Sequence, residues 1–209
     1  HPQRDNRCRY WAARMIPLGV LSSARAPAAI PDVLVDDFDG TLALWPNSYG
    51  NYLLQAGNSR VRVEHTIGYS MLYSDLVSLV GKAFVANVEH AAPALLREVY
   101  MAAEVDFASG NYVCFSQHGG TLYMRHVRLG VTSEETVPYD GTSMRWLRLR
   151  ESSGSFYWDT SPDGVTWTQR YTFTSILNVS SVMLGVGAGD FGGGSPGVYS
   201  YIHRVGSPA

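Results

Sequence analysis

Charge is scarce in this sequence. Asp, Glu, Lys and Arg make up 16% of its 209 residues, against 45% apolar residues. Disorder along the whole chain needs the opposite balance, so it is excluded. Lysine is almost absent, with Lys82 alone beside 15 Arg. The two ions carry the same charge, so folding does not demand that ratio; it points to a GC-rich coding genome. The formal net charge is only -2, which argues against nucleic acid as the main partner. Cys8 and Cys114 are the two cysteines. Two cannot make a disulfide framework, and no CxxC or Cys/His cluster offers a structural zinc. Cys114 lies in the apolar run Tyr112-Val113-Cys114-Phe115, where a buried thiol is expected. No apolar run approaches a membrane span, so no membrane insertion is expected. No segment of ten or more residues has an amphipathic helical period, and no internal repeat is found.

What is plentiful is glycine and aromatics: 21 Gly, 13 Tyr, 7 Phe and 5 Trp. With little charge, that composition indicates β-strands joined by tight turns. The small net charge also hides an asymmetry. Residues 1–31 hold Arg4, Arg7, Arg9, Arg14 and Arg25 against Asp5. The arm is therefore basic and the remaining chain acidic. Attraction between the two favours packing of copies into a homo-oligomer, weakened by salt. Pro2, Pro17, Pro27 and Pro31 exclude one continuous helix in this segment. Residues 1–31 read as a linker, or as an arm that docks on a neighbouring subunit. His1 in place of Met suggests a processed chain or a piece of a longer one.

From residue 32 to 209 the sequence reads as one domain. Strands are expected near 33–38, 52–55, 60–66, 69–74, 82–90, 96–107, 111–118, 121–128, 132–137, 144–151, 155–160, 165–172, 181–188 and 198–204. Their spacing is that of an antiparallel sandwich. One hairpin runs from Trp146-Leu147-Arg148-Leu149-Arg150 through Ser152-Ser153-Gly154 to Phe156-Tyr157-Trp158-Asp159. A second turns at Ser161-Pro162-Asp163-Gly164, with Pro at its second position and Gly at its fourth. Alternation places Leu147 and Leu149 on one face and Trp146, Arg148 and Arg150 on the other.

Several of these segments resemble a known fold family. Asp36-Asp37-Phe38-Asp39-Gly40 with Trp45, Arg60-Val61-Arg62-Val63-Glu64-His65 and Ser109-Gly110-Asn111-Tyr112-Val113 are similar to strands of concanavalin A-like, or laminin-G-like, jelly-roll domains. The sharpest match is Trp146 to Arg150 followed by Tyr157 to Trp167. The resemblance covers roughly residues 33–205 and implies an all-β antiparallel jelly-roll sandwich. Such domains occur as carbohydrate-binding appendages of secreted enzymes, as adhesion modules and in phage tail proteins. Together with the Arg bias and the arm, the resemblance implies a non-enzymatic virion protein, tail or capsid-associated. Its arm would hold other virion subunits, and the domain would contact a cell-surface glycan. The location would be virion or extracellular. The alternative is a secreted carbohydrate-binding module of a polysaccharide-degrading enzyme.

Candidate sites were sought residue by residue. Laminarinase-type hydrolases of this fold carry Glu-x-Asp-x-Glu on one strand, and a retaining mechanism needs its outer carboxyls about 5 Å apart. Here Glu104-Val105-Asp106-Phe107-Ala108-Ser109 supplies two carboxyls and lacks the third, so no catalytic residue is assigned. Sugar rings stack on aromatics while Asp and Arg bind their hydroxyls. On that chemistry Trp146, Arg148 and Arg150, with Tyr157 and Asp159, form a candidate glycan stripe, and Tyr123 and Arg125 alternate likewise. The competing reading is an ordinary solvated sheet face or a subunit interface. Asp36, Asp37 and Asp39 read either as turn and cap groups or as calcium ligands, since calcium takes several oxygens. No other cofactor is expected. Trp167, after a turn that resembles the Asp-box of sialidases, reads as a core plug. His118 and His126 flank one hairpin and could approach each other. Gly185, Gly187 and Gly189, followed by Gly192-Gly193-Gly194, read as a flexible loop.

Overall fold

The structure, a computed structural model, describes residues 34–64, 68–89, 97–106, 110–174, 177–190 and 199–206. The expected arm at 1–31 lies outside the described residues. Thirteen strands are found: β1 Tyr52–Gln55, β2 Arg60–Glu64, β3 Gly68–Val77, β4 Ala83–Glu89, β5 Arg97–Asp106, β6 Asn111–His118, β7 Thr121–Arg128, β8 Val131–Pro138, β9 Trp146–Ser152, β10 Ser155–Ser161, β11 Thr168–Thr174, β12 Val182–Asp190 and β13 Tyr199–Val205. They form two antiparallel sheets. One has seven strands in the order β1-β2-β13-β4-β9-β10-β11, the other six in the order β3-β12-β5-β6-β7-β8. The expected antiparallel sandwich is present.

Period-two patterning decides which side chains meet between the sheets. In β9 the buried residues are Leu147, Leu149 and Glu151, alternating with half-buried Trp146, Arg148 and Arg150. Opposite them, β5 and β6 turn Val99, Met101, Ala103, Val113 and Phe115 inward. Trp158 of β10 is fully buried, and its indole N–H donates to the Cys114 carbonyl of β6 at 2.8 Å. A buried indole needs such an acceptor, and this one ties the two sheets together.

Two expected strands are corrected. Of the strand expected at 33–38, the described residues 34–38 make only an isolated bridge, Asp36 to Val205. The cause is local: Asp36 accepts the Phe38 N–H at 2.8 Å, and Phe38 turns the chain with φ 57°. The strand expected at 165–172 begins at Thr168. Before it, the Asp163 carboxylate accepts the N–H groups of Val165 and Thr166 at 2.8 and 2.7 Å, which holds the backbone in a turn. The strand expected at 181–188 is present as β12, while Gly192-Gly193-Gly194 lie outside the described residues. The loop reading of Gly185, Gly187 and Gly189 is therefore corrected. Their alternation puts all three on the outer face of the six-stranded sheet, under Tyr73, Met71 and Tyr69 respectively. A Cβ on Gly187 would collide with the Met71 sulfur and the Ser70 carbonyl, so only glycine allows β3 and its side chains to lie this close.

The six-stranded sheet ends in β8, which is mostly exposed and carries Glu134 and Glu135. Charge on a bare edge discourages pairing with another chain. At the other end, Tyr49 exchanges backbone hydrogen bonds with Met71 of β3 at 2.9 and 2.8 Å.

Candidate functional site

The outer face of the six-stranded sheet is unusual because it is buried. A second apolar cluster lies there, including Met71, Tyr73, Tyr100, Tyr112 and Cys114. Alternation in β5 brings Glu98, Tyr100, Ala102 and Glu104 to this face. Register confirms the placement: Glu104 sits between Met183 of β12 and Tyr112 of β6. Glu104 is 5% exposed. The Tyr73 hydroxyl donates to its Oε1 at 2.5 Å. Burial pushes the carboxyl up to about 7, and the Tyr73 hydrogen bond pulls the other way. Near neutrality both its protonated and its ionised forms are therefore accessible. Burial, followed by the Glu104 charge, pushes the Tyr73 phenol well up, so Tyr73 stays a donor.

A second carboxylate occupies the other end of the same face. Glu98 accepts from the Tyr69 hydroxyl at 2.6 Å and from the Ser116 hydroxyl. Arg125 lies 3.9 Å from Glu98, and its Nε pairs with Glu134. Six strand residues separate Glu98 from Glu104, a span of about 20 Å. Two carboxyls acting on one glycosidic bond stand at most about 9.5 Å apart, so these two are not a catalytic pair. Asp106 follows two residues after Glu104 and pairs with Asn111, across a bulge in the β5–β6 register. Bulges favour functional positions because they re-aim the strand. Positions 107 to 109 are Phe, Ala and Ser, so the third carboxylate of the Glu-x-Asp-x-Glu pattern is missing.

The expected glycan stripe divides between the sheets. The β9–β10 register sets Arg148 opposite Asp159, Arg150 opposite Tyr157 and Trp146 opposite Ser161. Trp146, Arg148, Arg150, Tyr157 and Asp159 thus share the outer face of the seven-stranded sheet. Asp159 is 1% exposed and accepts from Nε of both arginines, at 2.8 and 2.7 Å. Arg150 lies over the Tyr157 ring at 3.9 Å and Arg148 over the Trp167 ring at 4.1 Å. Trp167 is half-buried on this face, not the expected core plug; Trp158 fills the core. Tyr123 and Arg125 do not join them. They stand on β7 in the other sheet, on the same face as Glu98, with Arg125 4.6 Å from the Tyr123 centroid.

The three acidic residues near the start of the domain do not converge. Asp36 accepts the Trp45 indole N–H at 2.7 Å as well as the Phe38 N–H, and burial raises its pKa. Asp37 and Asp39 are exposed. Among the described residues no group of three His, Cys, Asp or Glu could hold a metal ion. Asp36 is therefore used as a turn and cap group. His118 and His126 do not approach each other. His118 shares the outer face with Tyr123 and stacks on it at 4.2 Å. His126 faces inward against Phe173 at 3.5 Å, and burial lowers its pKa.

No family profile matches the chain, and no curated protein matches it in sequence. Solved structures do match. A β-glucanase from Bacillus licheniformis superposes with a TM-score of 0.61 at 11% identity, covering 85% of this chain and 98% of its own. The Crh5 transglycosylase in complex with NAG gives 0.63 at 11% identity, covering 87% and 86%. A prokaryotic lichenase from a mouse hindgut metagenome gives 0.58 at 9% identity, covering 84% and 99%. The chain has the concanavalin A-like jelly-roll fold. The expectation of a non-enzymatic virion or tail protein is corrected by these matches, which are glucanases and a transglycosylase. None of these three proteins is a phage, virion or adhesion protein.

Sequence reasoning missed the surroundings of Glu104. Tyr73 is 31 residues away in sequence and on a strand that is not adjacent in the sheet. The available signal was alternation: Glu98, Tyr100 and Glu104 share one face of a ten-residue strand, and Val99, Met101 and Ala103 the other.

Proposed function

We propose that the chain is a carbohydrate-active enzyme that takes a polysaccharide against the outer face of the six-stranded sheet, with Glu104 as its acid. The observation that carries this is Glu104 itself. It is a carboxyl with both its protonated and its ionised forms accessible near neutral pH, hydrogen-bonded to Tyr73 on a tyrosine-lined sheet face. A raised carboxyl is what proton donation to a glycosidic oxygen requires. The glucanases and the transglycosylase that share the fold support glycan as the substrate class. In this mechanism Tyr73 orients Glu104, and the surrounding tyrosines and methionine keep water from lowering its pKa. The protonated carboxyl then donates to the leaving oxygen. A water or an acceptor sugar hydroxyl attacks the anomeric carbon as the glycosidic bond breaks, and its proton passes to solvent.

The test is release of reducing ends from mixed-linkage β-glucan, together with transfer to a labelled oligosaccharide acceptor. Glu104→Gln removes the acid and is expected to lower turnover by about 10²- to 10⁴-fold. Activity should also decline as pH rises through about 7. Unchanged turnover in Glu104→Gln sinks the proposal. Ala108 and Ser109, where the laminarinase-type pattern has its third carboxylate, favour a second reading, a carbohydrate-binding module of a polysaccharide-degrading enzyme. Glucan binding without turnover in the wild type would support that reading instead.

A further inference from the structure

We propose that the outer face of the seven-stranded sheet carries a separate site, built on Arg148 and Arg150, for a glycan bearing carboxylate or sulfate groups. Anion binding here follows from the side chains themselves. That the anion is carried on a glycan rests on the preceding proposal.

The charges do not balance. One carboxylate, Asp159, faces two guanidiniums, and a single arginine would neutralise it. Both arginines meet the same oxygen, Oδ2, through Nε alone. Each guanidinium has five N–H donors. Among the described residues the Nη groups of Arg148 make no hydrogen bond, and those of Arg150 make one, to Gln169 Oε1 at 3.2 Å. Asp159 is almost fully covered, while the two arginine side chains are 23% and 29% exposed. The carboxylate thus anchors the arginines from beneath, and unspent donors remain within reach of solvent. Strand β4 sets Ala83 and Val85 opposite them and Asn87 opposite Trp146. None of the three is charged, so the surplus positive charge is not cancelled from that side.

The pair is also ordered before any ligand arrives. Arg150 rests on Tyr157 and Arg148 on Trp167. Trp167 is delivered by the turn that Asp163 closes through the Val165 and Thr166 N–H groups. A guanidinium that is already stacked loses less freedom on binding, and a planar donor set matches the geometry of carboxylate and sulfate oxyanions. Trp146 stands next to Arg148 on the same face and is half-buried. Its free ring surface suits the C–H face of a neighbouring sugar.

The test uses the full chain in affinity electrophoresis and calorimetry. Polygalacturonate probes the carboxylate source, dextran sulfate the sulfate source, and dextran serves as the neutral control. At least one acidic polymer should bind more tightly than dextran, and binding should weaken as NaCl is raised. Arg148→Gln and Arg150→Gln should each weaken it by about tenfold. Either variant leaves one arginine on Asp159, so each is expected to fold, and unfolding temperatures check this. Arg148→Lys retains the charge but loses the planar donor set. It should bind more weakly than wild type but better than Arg148→Gln. The proposal is overturned if neither acidic polymer binds better than dextran, or if the three variants bind as the wild type does. Neither result touches the Glu104 proposal, whose assay uses a neutral glucan.

Discussion

The two outer faces of the sandwich solve the problem of charge in opposite ways. On the six-stranded sheet, carboxyls are drawn out of water. Among the described residues Glu104 has the Tyr73 hydroxyl as its hydrogen-bond partner, and burial moves it up to about 7. On the outer face of the seven-stranded sheet the buried carboxylate of Asp159 is held by two arginines that remain partly in solvent. Desolvation without a counter-ion produces a group that exchanges its proton near neutrality. A buried carboxylate beneath two arginines instead anchors a cation pair. The same fold thus offers proton chemistry on one side and fixed electrostatics on the other.

Three changes sharpen or break that contrast. The largest concerns stability against pH. The Glu104 carboxyl has an ordinary value of 4.5 and a folded value of about 7. Between those values the folded chain keeps a proton that the unfolded chain has released, so stability falls as pH rises through the window. The loss approaches about 3 kcal/mol above pH 7. Glu104→Gln removes it, so the variant should gain about 5 to 10 °C in Tm over wild type at pH 8 and nothing at pH 4. Equal Tm differences at both pH values would show that Glu104 is not held as a neutral acid. Next comes Gly187→Ala. Its methyl meets Met71 and the Ser70 carbonyl, and forcing them apart costs about 2 kcal/mol, read from chemical denaturation. A neutral result would mean that β3 is not pressed against β12. The smallest effect is expected on the opposite face. Trp167→Ala removes the ring beneath Arg148 and should cost only about 0.5 to 1 kcal/mol. A loss larger than that of Gly187→Ala would make the Arg–Trp pair structural rather than a solvent-facing arrangement.

These faces were unequally legible in the sequence. The hairpin from Trp146 to Ser161 was legible because it is local: alternation and a short turn fix which side chains share a face. Trp146, Arg148, Arg150, Tyr157 and Asp159 meet as expected for that reason. Tyr123 and Arg125 alternate equally well, but alternation does not say which sheet a strand joins. They fell on the far side of the sandwich from the others. The Glu104 environment was hidden for a stronger reason. It requires β12 to insert between β3 and β5, a strand from residues 182–190 separating two from the first half of the chain. Glycine at alternate positions supported two readings, a strand at 181–188 and a loop, because glycine usually marks a loop. Here the alternation with Leu184, Val186 and Ala188 was the strand signal, and the missing side chains make room for the tyrosines of β3.

The position of β12 and β13 has a consequence for how the chain is made. Both strands belong to the last thirty residues of the sequence, yet both lie inside their sheets: β13 between β2 and β4, β12 between β3 and β5. Until they emerge from the ribosome, strands made early face gaps where their partners belong. Pairings this distant in sequence close slowly, and unpaired strand edges invite association in the meantime. The sheets therefore cannot close until residues 182–205 have been made, so solubility during expression should depend on temperature and chaperones more than the finished stability suggests.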